Sequence, residues 1–108
     1  MRVLKFIVEG QVIKPDPSCD FSGLIPGTEG YLKAEFQFSS EWNGLAKVAA
    51  FWITNKECPP QILDDGKSCM IPAEALEKYA FKISLIGKGN GTKLVTNKVV
   101  VMQNGEES

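Results

Sequence analysis

Phe36-Gln37-Phe38-Ser39-Ser40-Glu41-Trp42-Asn43-Gly44-Leu45-Ala46-Lys47-Val48-Ala49-Ala50-Phe51 is the stretch whose reading decides the fold. Its ends are apolar and its middle is polar, so it reads as strand, tight corner, strand. Asn43-Gly44 supplies the positive φ that a sharp corner needs at low steric cost. Trp42, Asn43 and Gly44 together make the structural corner, with Trp42 capping one end of the core. Just upstream, Tyr31 to Phe38 alternates. Leu32, Ala34, Phe36 and Phe38 share one face, and Lys33, Glu35 and Gln37 share the other. Period two with one apolar face predicts a half-buried antiparallel strand. Downstream, Ala46 to Ile53 is apolar on both faces apart from Lys47. That predicts a central strand, or one with a face against a partner.

Moving outward, Arg2 to Val8 reads as a first strand, Glu9-Gly10 as its turn and Gln11 to Lys14 as a short return. Pro15 and Pro17 end that pairing. Cys19 to Gly30 is a long loop, whose Phe21, Leu24 and Ile25 are expected to tuck under and cover the core. Beyond the corner, Pro59-Pro60 stops the chain. Gln61 to Leu63 and Cys69 to Ile71 then read as strands joined by a hairpin turn at Asp64-Asp65-Gly66. Pro72 opens the single helical stretch, to Tyr79, with Leu76 and Tyr79 expected to pin it to a sheet. Ala80 to Ile86 alternates, with Phe81, Ile83 and Leu85 inward. Gly87 to Lys93 reads as a flexible turn, and Leu94 to Gln103 as a last strand broken near Thr96-Asn97. These elements predict an all-β antiparallel β-sandwich of about seven or eight short strands with one short helical turn. It forms one domain over residues 1–103, with a polar C-terminal tail at 104–108.

Composition narrows the function classes. The chain has 108 residues and a net charge of −1, with no basic block, so nucleic acid is not an expected partner. No apolar run is long enough to span a membrane, and no cleavable leader is evident. The expected site of synthesis is a cytoplasm. There is no histidine, so a Ser-His-Asp triad cannot be built and a cysteine nucleophile lacks its usual base. Cys19, Cys58 and Cys69 lack metal-ligand spacing and read as reduced thiols. Asp64-Asp65 fits a solvated turn better than an acid–base pair. The glycines of 87–93 precede a strand, not a helix, so they organise no phosphate site. These residues predict no catalytic, metal or cofactor site, and the chain reads as non-enzymatic.

Phe51 and Trp52 carry the best positional clue to function. They are adjacent in a strand, so regular alternation sends them to opposite faces. One of them leaves the main core and is expected to mark a partner-binding surface. An aromatic platform for sugar, drawing on Tyr31 and Trp42 as well, is an alternative use of the same rings.

The order and spacing of several segments resemble a known family. They are Leu32 to Phe38, Ser40-Glu41-Trp42-Asn43-Gly44-Leu45, Lys47 to Phe51, Cys69-Met70-Ile71-Pro72, Phe81 to Gly87 and Val95-Thr96-Asn97. The pattern resembles the small immunoglobulin-like module that begins baseplate, tail and head-fibre proteins of phages infecting Gram-positive bacteria. It resembles in particular the N-terminal module of upper baseplate proteins. The resemblance implies an immunoglobulin-like sandwich in a structural protein of the virion. That protein would serve the baseplate or tail, or decorate the capsid surface, bind other virion subunits and form a homo-oligomer. A host surface glycan is a further possible ligand. The alternatives from other classes are a small phage-encoded inhibitor of a host or defence enzyme and a carbohydrate-binding module.

Overall fold

The computed structural model describes residues 1–103, as ten strands in two sheets. The polar stretch 104–108 lies outside the described residues. β1 (Arg2–Glu9) and β2 (Val12–Pro15) form an antiparallel hairpin. Gly10 takes φ 58 as the first residue of its two-residue loop, a conformation glycine adopts without strain. After a long connection comes β3 (Leu32–Phe38), which pairs with β1 from Arg2↔Leu32 to Val8↔Phe38. This pairing is parallel, whereas alternation predicted an antiparallel strand. Alternation reports which face is buried and not which way the neighbour runs, so the direction was open. On its other side β3 pairs antiparallel with β7 (Ser68–Met70), giving the order β2-β1-β3-β7.

The second sheet is built on β4 (Ala46–Ile53) and β8 (Ala80–Gly89), paired antiparallel from Ala46↔Lys88 to Trp52↔Lys82. On the far side of β4 lie two short pieces, β5 (Lys56–Glu57) and β6 (Gln61–Ile62). On the far side of β8 lie β9 (Thr92–Val95) and β10 (Val99–Met102). Thus β4 is central, as its two apolar faces predicted. The all-β sandwich is the fold that forms. It has ten strands because two-residue pieces flank β4 and the last strand is split between Val95 and Val99.

Four local expectations are corrected. Asp64-Asp65-Gly66 does not turn a hairpin. The strand before it belongs to one sheet and the strand after it to the other, so the turn crosses between layers. The Asp65 carboxylate fixes that direction: it accepts from the backbone N–H of Lys67 at 2.9 Å and of Ser68 at 2.7 Å, and from the Ser68 hydroxyl at 2.5 Å. The helical stretch shrinks to one 3-10 turn, Ala73–Leu76, whose Leu76 is buried while Tyr79 is 66% exposed. Beside the Ser40–Trp42 turn it is the second of two 3-10 turns. Gly87–Lys93 is not a loose turn. β8 continues to Gly89, and only Asn90 (φ 52) and Gly91 (φ 75) bend, as a type I′ hairpin requires. From the long loop, Leu24 is buried and Phe21 packs on the core, but Ile25 is exposed.

The core between the sheets takes Leu4, Phe6, Val8, Leu32, Ala34 and Phe36 from one side and Ala49, Phe51, Phe81, Ile83 and Leu85 from the other. A chain of aromatic contacts runs through the first sheet to the corner. Phe21 meets Phe6 edge-on at 5.5 Å between centroids, Phe6 stacks on Phe36 at 5.5 Å, Phe36 meets Phe38 at 6.0 Å and Phe38 meets Trp42 at 5.2 Å. Such pairs add about 0.5–1.5 kcal/mol each beyond the area they bury. Trp42 is wholly buried, and its Nε1 donates to the Gly10 carbonyl at 2.8 Å. The corner thereby ties the β1–β2 turn to the second sheet.

The break at Thr96-Asn97 joins the layers. Thr96 exchanges bonds with Leu85 of β8: its backbone N–H donates to the Leu85 carbonyl at 3.0 Å, and its hydroxyl accepts from the Leu85 N–H at 2.9 Å. Asn97 turns to β2, where its Oδ1 accepts from the Ile13 N–H at 2.8 Å and its Nδ2 donates to the Ile13 carbonyl at 3.3 Å. Its side chain thus plays the part of a neighbouring strand at the edge of the first sheet. Gln103 closes the opposite end, its Nε2 donating to the carbonyls of Leu76 and Lys78.

Candidate functional site

The register places two adjacent aromatic residues of β4 on opposite sides of the second sheet. Phe51 enters the core, wholly buried with its ring 6.4 Å from Phe81. It cannot touch a partner while the sandwich is closed, so of the two residues predicted at a binding surface only Trp52 is available. Trp52 is half-buried on the outer face. The Lys98 ammonium lies 3.8 Å from its ring centroid, within cation–π range. The indole Nε1 is closed off from solvent and meets no acceptor.

Away from Trp52, the middle of the outer face carries an apolar row. Reading across the strands, Ile62 of β6 pairs with Val48 of β4, Val48 with Ile86 of β8, and Ile86 with Val95 of β9. These four form one cross-strand row. Ile62 is 69% exposed and Val95 42% exposed, with Val48 and Ile86 partly covered. The next row outward toward Trp52 is Ala50 opposite Ser84, which are 1% and 4% exposed. The row after that is Glu57, Trp52, Lys82 and Val100. Beyond the apolar row at the other end stand Ala46, Lys88 and Lys93.

Sequence reasoning sends one of Phe51 and Trp52 to this face without saying which, and misses its neighbours. The double apolar pattern of Ala46–Ile53 was the available signal, since it required a second face worth covering. What it could not supply was the partner strands: β6 reaches this sheet through a pairing that alternation does not encode, and β9 through the Asn90-Gly91 hairpin, whose local signal was available. The corner residues take the structural role expected of them. Trp42 is core and Gly44 takes φ 78, while Asn43 ends the 3-10 turn with negative φ. Tyr31 immediately precedes β3 of the other sheet, so it shares no platform with Trp52.

Several other chemistry-bearing groups are tied up locally. The three hydrogen bonds on Asp65 hold its carboxyl far below the ordinary 3.8, so it stays ionised and cannot donate a proton. Asp16, Asp20 and Glu41 are lowered in the same way by Ser18, Ser22 and Ser39. Burial pushes the Cys69 thiol up to about 12 and raises that of Cys58, with nearby carboxylates adding to both. Neither is a reactive thiolate. An open cleft of about 610 Å³ beside Met1, Lys33, Asp64 and Met70 is lined by the spent Asp65. Among the described residues no group of three His, Cys, Asp or Glu is placed to hold a metal ion. No helix among them is long and apolar enough to cross a membrane.

No protein-family model matches the chain, and no curated protein or solved structure matches it.

Proposed function

We propose that this chain is a non-enzymatic structural subunit of a phage particle, serving the baseplate, the tail or the capsid surface. It binds other virion subunits through the outer face of its second sheet. The carrying observation is Trp52, which stands outside the core on a sheet face that carries an exposed apolar cross-strand row. A face of this kind on a small domain is covered when the domain is assembled. The resemblance of the Trp42 corner, the Cys69–Pro72 segment and the Thr96-Asn97 pair to phage immunoglobulin-like modules supplies the setting. Many weak copies on a symmetric particle bind by avidity, so one face of modest size suffices.

The sugar-platform reading draws less support from the same face. A sugar stacks on an open aromatic ring, and Lys98 already lies over that of Trp52. The test is incorporation. Virions are purified from cells producing either the natural chain or Trp52→Glu. The natural chain is expected at a fixed stoichiometry in the particle. Trp52→Glu is expected to remain folded by circular dichroism and to be lost from the particle. Finding no copies of the natural chain in purified virions overturns the proposal.

A further inference from the structure

The outer face is apolar in the middle and basic at both ends. Lys88 and Lys93 face each other in register at one end, while Lys82 and Lys98 flank Trp52 at the other. The carboxylate on this face is Glu57, opposite Trp52. The asymmetry is written in the chain: between Lys78 and Glu106 there are four lysines and no aspartate or glutamate. Elsewhere acidic residues outnumber basic ones, since the whole chain carries 12 Lys and Arg against 13 Asp and Glu. The positive charge is therefore gathered on one face of a nearly neutral molecule.

None of these four lysines has an ion-pair partner among the described residues, where the one salt bridge is Lys14–Glu9, in the β1–β2 hairpin. Lys88 directly opposite Lys93 is an arrangement that destabilises a sheet in isolation. An anion brought against the pair relieves it. Lys88 lies six positions along β8 from Lys82, about 20 Å along a strand. The apolar centre and basic rim thus have the extent and layout of a protein–protein patch, in which a dry core is surrounded by charged residues.

We infer that the partner of this face is a protein surface with an apolar centre and a rim of carboxylates. This rests on the reading of the face as the binding surface and adds the chemistry of what it binds. A second copy of this chain, docked by the same face, sets four lysines against four lysines. Nucleic acid meets an apolar row where a phosphate track needs cations. A carboxylate rim pairs with Lys82, Lys88, Lys93 and Lys98, while an apolar centre covers Val48, Ile62, Ile86 and Val95.

The test is selection from a displayed random peptide library on the immobilised protein, followed by mapping of the winners on its ¹⁵N–¹H spectrum. Enriched peptides are expected to combine Asp or Glu with aliphatic or aromatic residues and to shift the amides of Val48, Trp52, Ile86 and Val95. Their affinity falls with added salt. It drops at least about tenfold in the charge-reversed protein Lys82→Glu/Lys98→Glu and survives in Lys82→Arg/Lys98→Arg. Winners that map to the face but are neutral or basic overturn the acidic partner and leave the binding face standing. Winners that map elsewhere, or no enrichment, overturn both. Oligothymidine or phosphatidylserine vesicles binding at this face in place of acidic peptides also overturn the inference, as does a self-association that the charge reversal abolishes.

Discussion

Gly87 gives the sharpest test of how the corner is built. It lies in β8 beneath the Trp42 indole, with no positive φ to make glycine necessary for the backbone. A Cβ at this position would sit 2.6 Å from Trp42 Cζ3, 2.8 Å from Cε3 and 3.1 Å from Leu45 Cδ1. Carbon atoms rest about 3.5–4.0 Å apart, so the ring has to retreat by about 1 Å. It has nowhere to go: Phe38 packs on it, and its N–H is held by the Gly10 carbonyl at 2.8 Å. Forced overpacking costs about 1–3 kcal/mol. A buried N–H drawn off its acceptor costs about 1–3 kcal/mol more. Gly87→Ala is therefore expected to lose about 2–5 kcal/mol, which a domain with about 5–15 kcal/mol to spare can survive in folded form. Urea unfolding followed by tryptophan fluorescence reads the loss as a fall in midpoint. Gly91→Ala is the control, with open space around it and φ 75, and loses about 1 kcal/mol through the backbone alone. Adding Trp42→Phe to Gly87→Ala removes the clashing atoms, so the double variant should lose less than the sum of the singles. A Gly87→Ala stability loss below about 0.5 kcal/mol refutes the reasoning.

Further expectations follow from other contacts. Asn97→Ala strips both bonds from Ile13 and is expected to cost about 1–3 kcal/mol; it should speed hydrogen exchange at the Ile13 amide, and unchanged protection there refutes the strand-mimic role. Asp65 has its folded-state pKa lowered, so its contribution is present above the ordinary 3.8 and is lost as pH falls below that value toward its lowered one. Asp65→Asn should therefore lower the urea midpoint at neutral pH, with the difference from the natural chain shrinking in strong acid; a constant difference argues against the linkage. Thr54 is β-branched and held at φ 55, so Thr54→Gly should raise stability by about 1 kcal/mol in the same assay. In thiol labelling at mildly alkaline pH, half-buried Cys19 should react well before Cys58 and Cys69, whose burial raises their pKa values; mass spectrometry of the first adduct decides it.

What is legible in the sequence follows a physical line. Side-chain period reports burial, so Leu32, Ala34, Phe36, Phe81, Ile83 and Leu85 were placed in the core correctly. It also separated Phe51 from Trp52, though not which of them faces out. Strand direction and sheet membership depend on pairings distant in sequence, and there the reading broke down. The parallel β1–β3 pair left no local trace, and Asp64-Asp65-Gly66 looked like a hairpin although its flanking strands part company. Gly87 looked like a loop residue because its reason for being glycine is Trp42, far away in the chain. The Lys-flanked face was hidden for the same cause. Lys82, Lys88, Lys93 and Lys98 are unremarkable one at a time and meaningful once β8, β9 and the 96–98 break bring them to one side.

The parallel union of β1 with β3 has a consequence for how the chain comes to fold. Synthesis delivers β1 before β3, and β2 can cover one of its edges within microseconds by a hairpin. The other edge belongs to β3, so Arg2 waits for Leu32 and Val8 for Phe38. Until then an apolar strand stands half dressed, with free backbone groups along the side most able to recruit another chain. The long segment between β2 and β3, anchored by Phe21 on Phe6 and by Arg2 on the carbonyls of Asp20 and Ser22, can shield the strand in that interval. Its length then serves as a temporary escort for β1, and shortening it should show first as aggregation during refolding.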